Sequence, residues 1–155
     1  MAENRIPAPT ESPPIGFREA TPADRAVVTQ IWEACGLTRP WNDPDADFDF
    51  ALAGPSSTIL VGEVTAGKTP EIVASVMVGH DGHRGAVYYV SVAPTLQTGG
   101  IGRAVMVAAE NWLRARDVPK LNLIVRGDNT QALGFYERLG YIVEPNRQLG
   151  RRLDD

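Results

Sequence analysis

One cysteine and two histidines in 155 residues rule out most of the chemistry that side chains borrow from metals and sulfur. Cys35 has no second cysteine to pair with, so no intramolecular disulfide forms and a reducing compartment is expected. With only His80 and His83 beside it, the set is too small for a Cys/His zinc site, and no metal is expected. Long apolar runs are missing too, so no membrane-spanning helix or membrane partner is expected. Residues 1–14 lack the apolar stretch of a signal peptide and carry Pro7, Pro9, Pro13 and Pro14. They read as a flexible N-terminal tail, and the cytoplasm is the expected location. An excess of positive charge is also absent: the formal net charge is −4, which argues against nucleic acid as a partner.

What remains is the composition of an ordinary folded domain, expected to span 15–155. Hydrophobic residues are 43% and charged residues 22% of the chain, and its length suffices for one core. Ile15 to Glu19 reads as a first strand. Thr21-Pro22-Ala23-Asp24 reads as a helix start, with a cap, a proline at the first position and an acid in the first turn. Val27, Val28, Ile31 and Trp32 then recur at helical spacing until Gly36 closes the helix. Leu37 to Asp45 reads as a loop and Ala46 to Ala53 as a short helix. Three strands are expected over Thr58–Val64, Ile72–Val78 and Ala86–Val92, dense in Val, Tyr and Met.

A long helix is expected from Gly100 to Arg116, with Ile101, Ala104, Val105, Ala108 and Trp112 as its apolar stripe. Leu121 to Val125 reads as a strand and Asn129 to Leu139 as a helix ended by Gly140. Tyr141 begins a further strand, and Leu149 to Leu153 suggests a last one. The expected class is α/β, a mixed but mostly antiparallel central sheet with flanking helices.

The chemically informative stretch is Gln97-Thr98-Gly99-Gly100-Ile101-Gly102-Arg103, between a strand and the long helix. The first amides of a helix have no internal partner and sit at the positive end of its dipole. Gly99, Gly100 and Gly102 have no Cβ, so an oxyanion can reach the backbone, with Arg103 available for a charge-assisted contact. A cradle for phosphate oxygens is one reading and a plain capping turn is the other. No Gly-Lys-Ser/Thr follows, which argues against a nucleoside-triphosphate loop. Nor does the stretch follow the first strand, as a dinucleotide fold requires.

This loop resembles the Q/R-x-x-G-x-G/A segment of the GNAT superfamily of N-acetyltransferases, and the chain resembles it from about Gly16 to Leu153. Tyr89-Val90-Ser91-Val92-Ala93-Pro94 is similar to that family's fourth strand. The run from Asp128 through Phe135-Tyr136-Glu137 to Tyr141 is similar to its second conserved block. Leu37 to Pro44 and Asp81 to Gly85 resemble the small bacterial YpeA-type branch.

The resemblance implies the GNAT fold and an acetyl-CoA-dependent N-acetyltransferase, with coenzyme A as product and direct attack by a primary amine in a ternary complex. It implies that backbone groups of Val90, Ser91 and Val92 hold the pantetheine arm. Gln97 and Thr98 to Arg103 would hold the pyrophosphate, and Asn129 the pantetheine or acetyl region. Tyr136 would protonate the leaving thiolate and also touch the cofactor, while the Val92 amide would polarise the thioester carbonyl. The glutamate that some members carry on the fifth strand is replaced by Ile124. Asp43, Asp81 or Glu33 acting through water, or an amine arriving neutral, would have to replace it. Arg39, Trp41, Asn42, Asp43, Asp81, His83 and Arg84 are the expected acceptor residues, contributed jointly by the loop after the first helix and the hairpin at Asp81 to Arg84. An arginine there could clamp a carboxylate and an aspartate could hold an ammonium. The expected acceptor is a small metabolite or amino acid. A peptide or protein amine is the alternative within enzymes, and a non-catalytic acyl-CoA sensor the alternative outside them. A homodimer is suggested by analogy with the family.

Overall fold

The computed structural model describes residues 14–65 and 67–154, and they fall in two compact units, Met1–Leu123 and Ile124–Asp155. The expected tail lies outside the described residues, except for Pro14.

The first unit carries a five-stranded sheet in the order β1-β2-β3-β4-β5, where β1 is Ile15–Glu19, β2 Ser57–Val64, β3 Glu71–His80, β4 Gly85–Val92 and β5 Leu121–Asn122. The first three pairings are antiparallel, and β4 with β5 is parallel. The mixed, mostly antiparallel sheet is therefore as expected. Between β1 and β2 come α1 (Arg25–Ala34) and α2 (Pro44–Ala53), and between β4 and β5 comes α3 (Ile101–Arg114). Helices cover both faces of the central strands, which is why β2 and β3 read as nearly continuous apolar runs rather than as an alternation. On one face Val28 and Trp32 of α1 and Phe48 and Ala51 of α2 pack on Ile59 and Val61. Leu60, between those two, lies on the side of α3.

Local chemistry explains the helix ends. Asp24 accepts a hydrogen bond from the Thr21 amide at 2.8 Å, and a short 3₁₀ turn at Pro22–Asp24 leads into α1. Gly36, at φ +69°, lets the chain leave α1, and the Leu37 amide returns to the Trp32 carbonyl at 3.0 Å. α2 starts two residues before the expected Ala46, because the Asp43 carboxylate caps it by accepting from the Asp45 amide at 3.0 Å and Pro44 supplies its first residue. α3 buries Ile101, Val105, Met106, Ala109, Trp112 and Leu113. Its inward stripe is rotated from the expected one, with Met106, Ala109 and Leu113 inside and Ala104 and Ala108 half-buried, so the bulkier side chains take the core.

β5 is two residues long instead of five. Its ladder holds only Gly85–Leu121 and Ala86–Asn122, and ends before a bulge in β4, where a strand bends away from its original line.

The second unit contains α4 (Thr130–Arg138). Asn129 caps it, its Oδ1 accepting from the Ala132 amide at 3.1 Å, and Gly140 at φ +94° ends it. The strands expected from Tyr141 and over Leu149–Leu153 do not form among the described residues. A strand exists only as a partner of another strand, and within this unit no described segment offers a ladder.

Candidate active site

β4 is irregular where chemistry was expected. Met77 faces Tyr88 and Ser75 faces Ser91, so Tyr89 and Val90 together oppose the single residue Val76. Tyr89 takes φ +52°, a left-handed conformation costing a non-glycine residue about 1–2 kcal/mol. Two contacts hold it there. Its ring stacks on Trp32 with centroids 3.9 Å apart and planes 10° from parallel, and its hydroxyl donates to the Asp47 carboxylate at 2.6 Å. A hydrogen bond to a charged acceptor contributes about 1.5–3 kcal/mol, enough to offset the strain. Burial first, and the Asp47 carboxylate second, push the Tyr89 phenol well above its ordinary value, so it stays a donor.

Beneath the bulge, Trp32 Nε1 donates to Ser75 Oγ at 3.0 Å, and Ser75 Oγ and Ser91 Oγ lie 2.9 Å apart. The Ser91 side chain is thus turned into the core, and its backbone N–H and C=O face Ser75 across the β3–β4 ladder, so Ser91 does not offer the backbone groups expected of it for a ligand arm.

Val92 follows. The Ala93 amide bonds the Val73 carbonyl at 2.7 Å, which makes that pair the hydrogen-bonded one. The neighbouring pair, Val92 opposite Ala74, is then the non-bonded kind, so the Val92 N–H and C=O both face away from β3. On that side β4 runs on past the point where β5 stops pairing. The Val92 carbonyl accepts from Gln97 Nε2 at 3.1 Å and from Cys35 Sγ at 3.1 Å. Cys35 sits half-buried just past α1, and burial raises its thiol, so it acts as an S–H donor and not as a nucleophile.

Pro94–Leu96 form a 3₁₀ turn, and Gly100 caps α3 at φ +79°. The first bond within α3 runs from the Ala104 amide to the Gly100 carbonyl at 3.3 Å. The Ile101, Gly102 and Arg103 amides therefore have no partner inside the helix. A Cβ built on Gly100 would meet nothing within 4 Å, so the space beside this cap residue is open.

The expected acceptor residues divide. Arg39 folds back, its Nη1 donating to the carbonyls of Gly36 at 2.9 Å and Thr38 at 2.8 Å. Trp41 is 58% exposed and Asp43 caps α2. This loop follows Cys35 and so belongs to the Val92 end of β4. Asp81, His83 and Arg84 belong to the other end, in the hairpin before Gly85. At about 3.3 Å per residue, seven residues place them roughly 23 Å away along the strand. There Asp81 accepts from the His83 and Arg84 amides at 2.8 and 2.7 Å, which hold its carboxyl below the usual range, and Arg84 Nη1 bonds the His83 carbonyl at 3.2 Å. The structure does not bring the two groups into one acceptor pocket.

In the second unit, the Tyr136 ring stands edge-on to Phe135 and Tyr141, with centroids 5.0 and 5.8 Å apart. Burial pushes its phenol above the ordinary value. Because Asn129 Oδ1 caps α4, that side chain has its NH₂ to offer a ligand.

Sequence reasoning missed Tyr89, Asp47 and the role of Cys35. A bulge leaves no periodic signature, and Asp47 is 42 residues from the hydroxyl it holds.

The acetyltransferase (GNAT) family model matches residues 25–141, and the chain belongs to that family. It is an N-acetyltransferase by family, and members of the family use acetyl-CoA. Among its relatives, an acetyltransferase of Yersinia enterocolitica is 43% identical over 84% of this chain and 90% of its own length. One from Pectobacterium atrosepticum is 45% identical over 83% and 87%. Among solved structures, a predicted acetyltransferase of Clostridium acetobutylicum with acetyl-CoA matches with a TM-score of 0.70 at 16% identity, over 92% of this chain and 99% of that one. A metagenomic aminoglycoside acetyltransferase in complex with sisomicin matches at 0.73 and 13%, over 90% and 97%. These two likenesses concern the fold. No helix among the described residues is long and apolar enough to cross a membrane.

Proposed function

We propose that the chain transfers the acetyl group of acetyl-CoA to a primary amine of a small metabolite or amino acid. The observation that carries this is the run of backbone donors from Val92 to Arg103: a strand edge turned outward at Val92, then the open, glycine-capped start of α3. An outward strand edge matches the amides of a pantetheine arm, and unpartnered helix amides match a pyrophosphate. The residues present therefore fit the cofactor.

Acetyl-CoA supplies the activated thioester and a thiolate leaving group whose thiol has an ordinary pKa of about 8.5. The chain's own part is to bind and orient it. Val90 and Val92 hold the arm through the backbone, and the Val92 N–H is aimed at the carbonyl oxygen, where charge develops. The Ile101, Gly102 and Arg103 amides hold the phosphates, assisted by Thr98, Gly99 and Gly100 at the turn. Tyr136 is carried over from the family motif as proton donor. A phenol raised by burial remains protonated at neutral pH, as that task requires. Asn129 offers its NH₂ to an amide carbonyl of the arm.

With Ile124 in the glutamate's position, the carboxylate that some family members use as base is missing there, and Asp81, held by two amides, is a weakened one. Orientation of an amine that loses its proton to water supplies the rate instead. On the acceptor side, the exposed Trp41 face and the remaining Arg39 donors support a small polar amine.

Acetyl-CoA turnover, read by thiol release over panels of amines, amino acids and peptides, tests this reading. Release with small amines is expected. Tight acetyl-CoA binding with no release from any panel would refute catalysis in favour of a sensor, and release with peptides alone would refute the small acceptor.

A further inference from the structure

Gln97 occupies the leading position of the glycine loop, where the family resemblance assigns it to the pyrophosphate. Its side chain points elsewhere. Nε2 lies 3.1 Å from the Val92 carbonyl oxygen, and Cys35 Sγ lies 3.1 Å from the same oxygen. Nε2 and Sγ are 3.9 Å apart, so the end of α1, the end of β4 and the turn before α3 meet at one carbonyl. That carbonyl has no ladder partner on β3, because Val92 belongs to a non-bonded pair. The Val92 N–H projects to the same side of the strand from the same residue. The two groups lie in the two peptide planes that meet at the Val92 Cα, so donors that anchor the carbonyl hold the Cα from which the N–H leaves.

We propose that Gln97 is a positioning residue, with Cys35 as the second donor: together they lock the Val92 backbone so that its N–H stays aimed at the acyl carbonyl, and the Gln97 side chain is not a phosphate ligand. The proposal rests on β4 and the start of α3 being the acetyl-CoA site. It gives the loop a second task. The turn that surrounds the pyrophosphate also carries the strut that fixes the acyl end, so an undisturbed loop and a correctly aimed Val92 amide go together. Cys35 fits the role as a protonated thiol, since it needs its hydrogen to donate.

The test compares the wild-type protein with Gln97→Met, which keeps length and loses the donor. Three quantities are read: CoA affinity by calorimetry, the infrared band of the isotope-labelled acetyl carbonyl in bound acetyl-CoA, and turnover with an accepted amine. For Gln97→Met, CoA affinity should stay within about two-fold, and the carbonyl band should move back toward its position in free acetyl-CoA. Turnover should fall about five-fold, the worth of one neutral hydrogen bond. Cys35→Val should move the band in the same direction, and Cys35→Ser, which keeps a donor, should restore most of the shift. A CoA affinity at least ten-fold weaker in Gln97→Met with the band unmoved would overturn the proposal and make Gln97 a phosphate ligand. An unchanged band, affinity and turnover would overturn it equally. Failure of the wild-type protein to bind CoA would instead remove the site reading itself, and that shows before any variant is made.

Discussion

Replacing Gly100 by valine separates two jobs that one residue performs. Gly100 caps α3 at φ +79°, where a residue with a Cβ is strained by about 1–2 kcal/mol. A Cβ there meets nothing within 4 Å, so no steric clash adds to that figure. For a chain of this size the melting temperature should drop by roughly 2–8 °C. If the proposed pyrophosphate site is right, a side chain at Gly100 also crowds the phosphate at the Ile101, Gly102 and Arg103 amides. Losing one charge-assisted hydrogen bond of about 1.5–3 kcal/mol should weaken CoA binding roughly ten- to one-hundred-fold. Gly100→Asn divides the effects, since asparagine tolerates the left-handed conformation while its side chain still fills the approach. Calorimetric titration with CoA and a thermal melt on both variants form the assay. Gly100→Asn should melt close to the wild type and bind CoA poorly. Unchanged CoA affinity in both, with Gly100→Val less stable, would show that the glycine is only a helix cap.

Tyr89→Phe removes the 2.6 Å hydrogen bond to Asp47 while leaving the stack on Trp32. For this half-buried pair the cost should be about 1–2 kcal/mol, seen as a lower melting temperature; an unchanged melt would mean the bulge holds itself. Tyr136→Phe should lower turnover more than acetyl-CoA affinity, and equal losses would assign the ring to packing. Asp24 accepts from Arg18 at 2.7 and 3.1 Å and from the Thr21 amide, and Arg18 chiefly holds its carboxyl below the usual value. The stability from Asp24 is therefore complete above the ordinary carboxylate pKa of about 4 and is lost as pH falls below it. Acid titrations of wild type and Asp24→Asn should show a shallower decline for the variant, and parallel curves would contradict the pairing.

Elements with one-dimensional signals were legible in the sequence. α1 announces itself by Thr21-Pro22 and Gly36, and β2 and β3 by apolar runs that two covering helix faces require. The start of α3 follows from glycine chemistry at a helix end, with Gly100 at positive φ as its cap. What escaped depends on partners distant in the chain. Tyr89 needs Trp32 and Asp47 to hold its positive φ, and nothing near Tyr89 in the sequence names either. Gln97 was assigned from its place in a motif, whereas its side chain is directed by a carbonyl left over from the β4 register. Arg39 and Asp43 read as substrate groups, but Arg39 bonds the loop carbonyls of Gly36 and Thr38 and Asp43 caps α2. Asp81 to Arg84 share the polar composition of a binding loop and satisfy one another within a hairpin turn. β5 fell short because a run of five with four apolar residues specifies a strand without specifying how far its neighbour stays straight.

The most direct measurement is a titration of the isotope-labelled protein with CoA, followed through its backbone amide spectrum. The account predicts saturable shifts centred on the amides of Val92, Ile101, Gly102 and Arg103. Saturable shifts that leave those amides unmoved, or no binding at all, would contradict it.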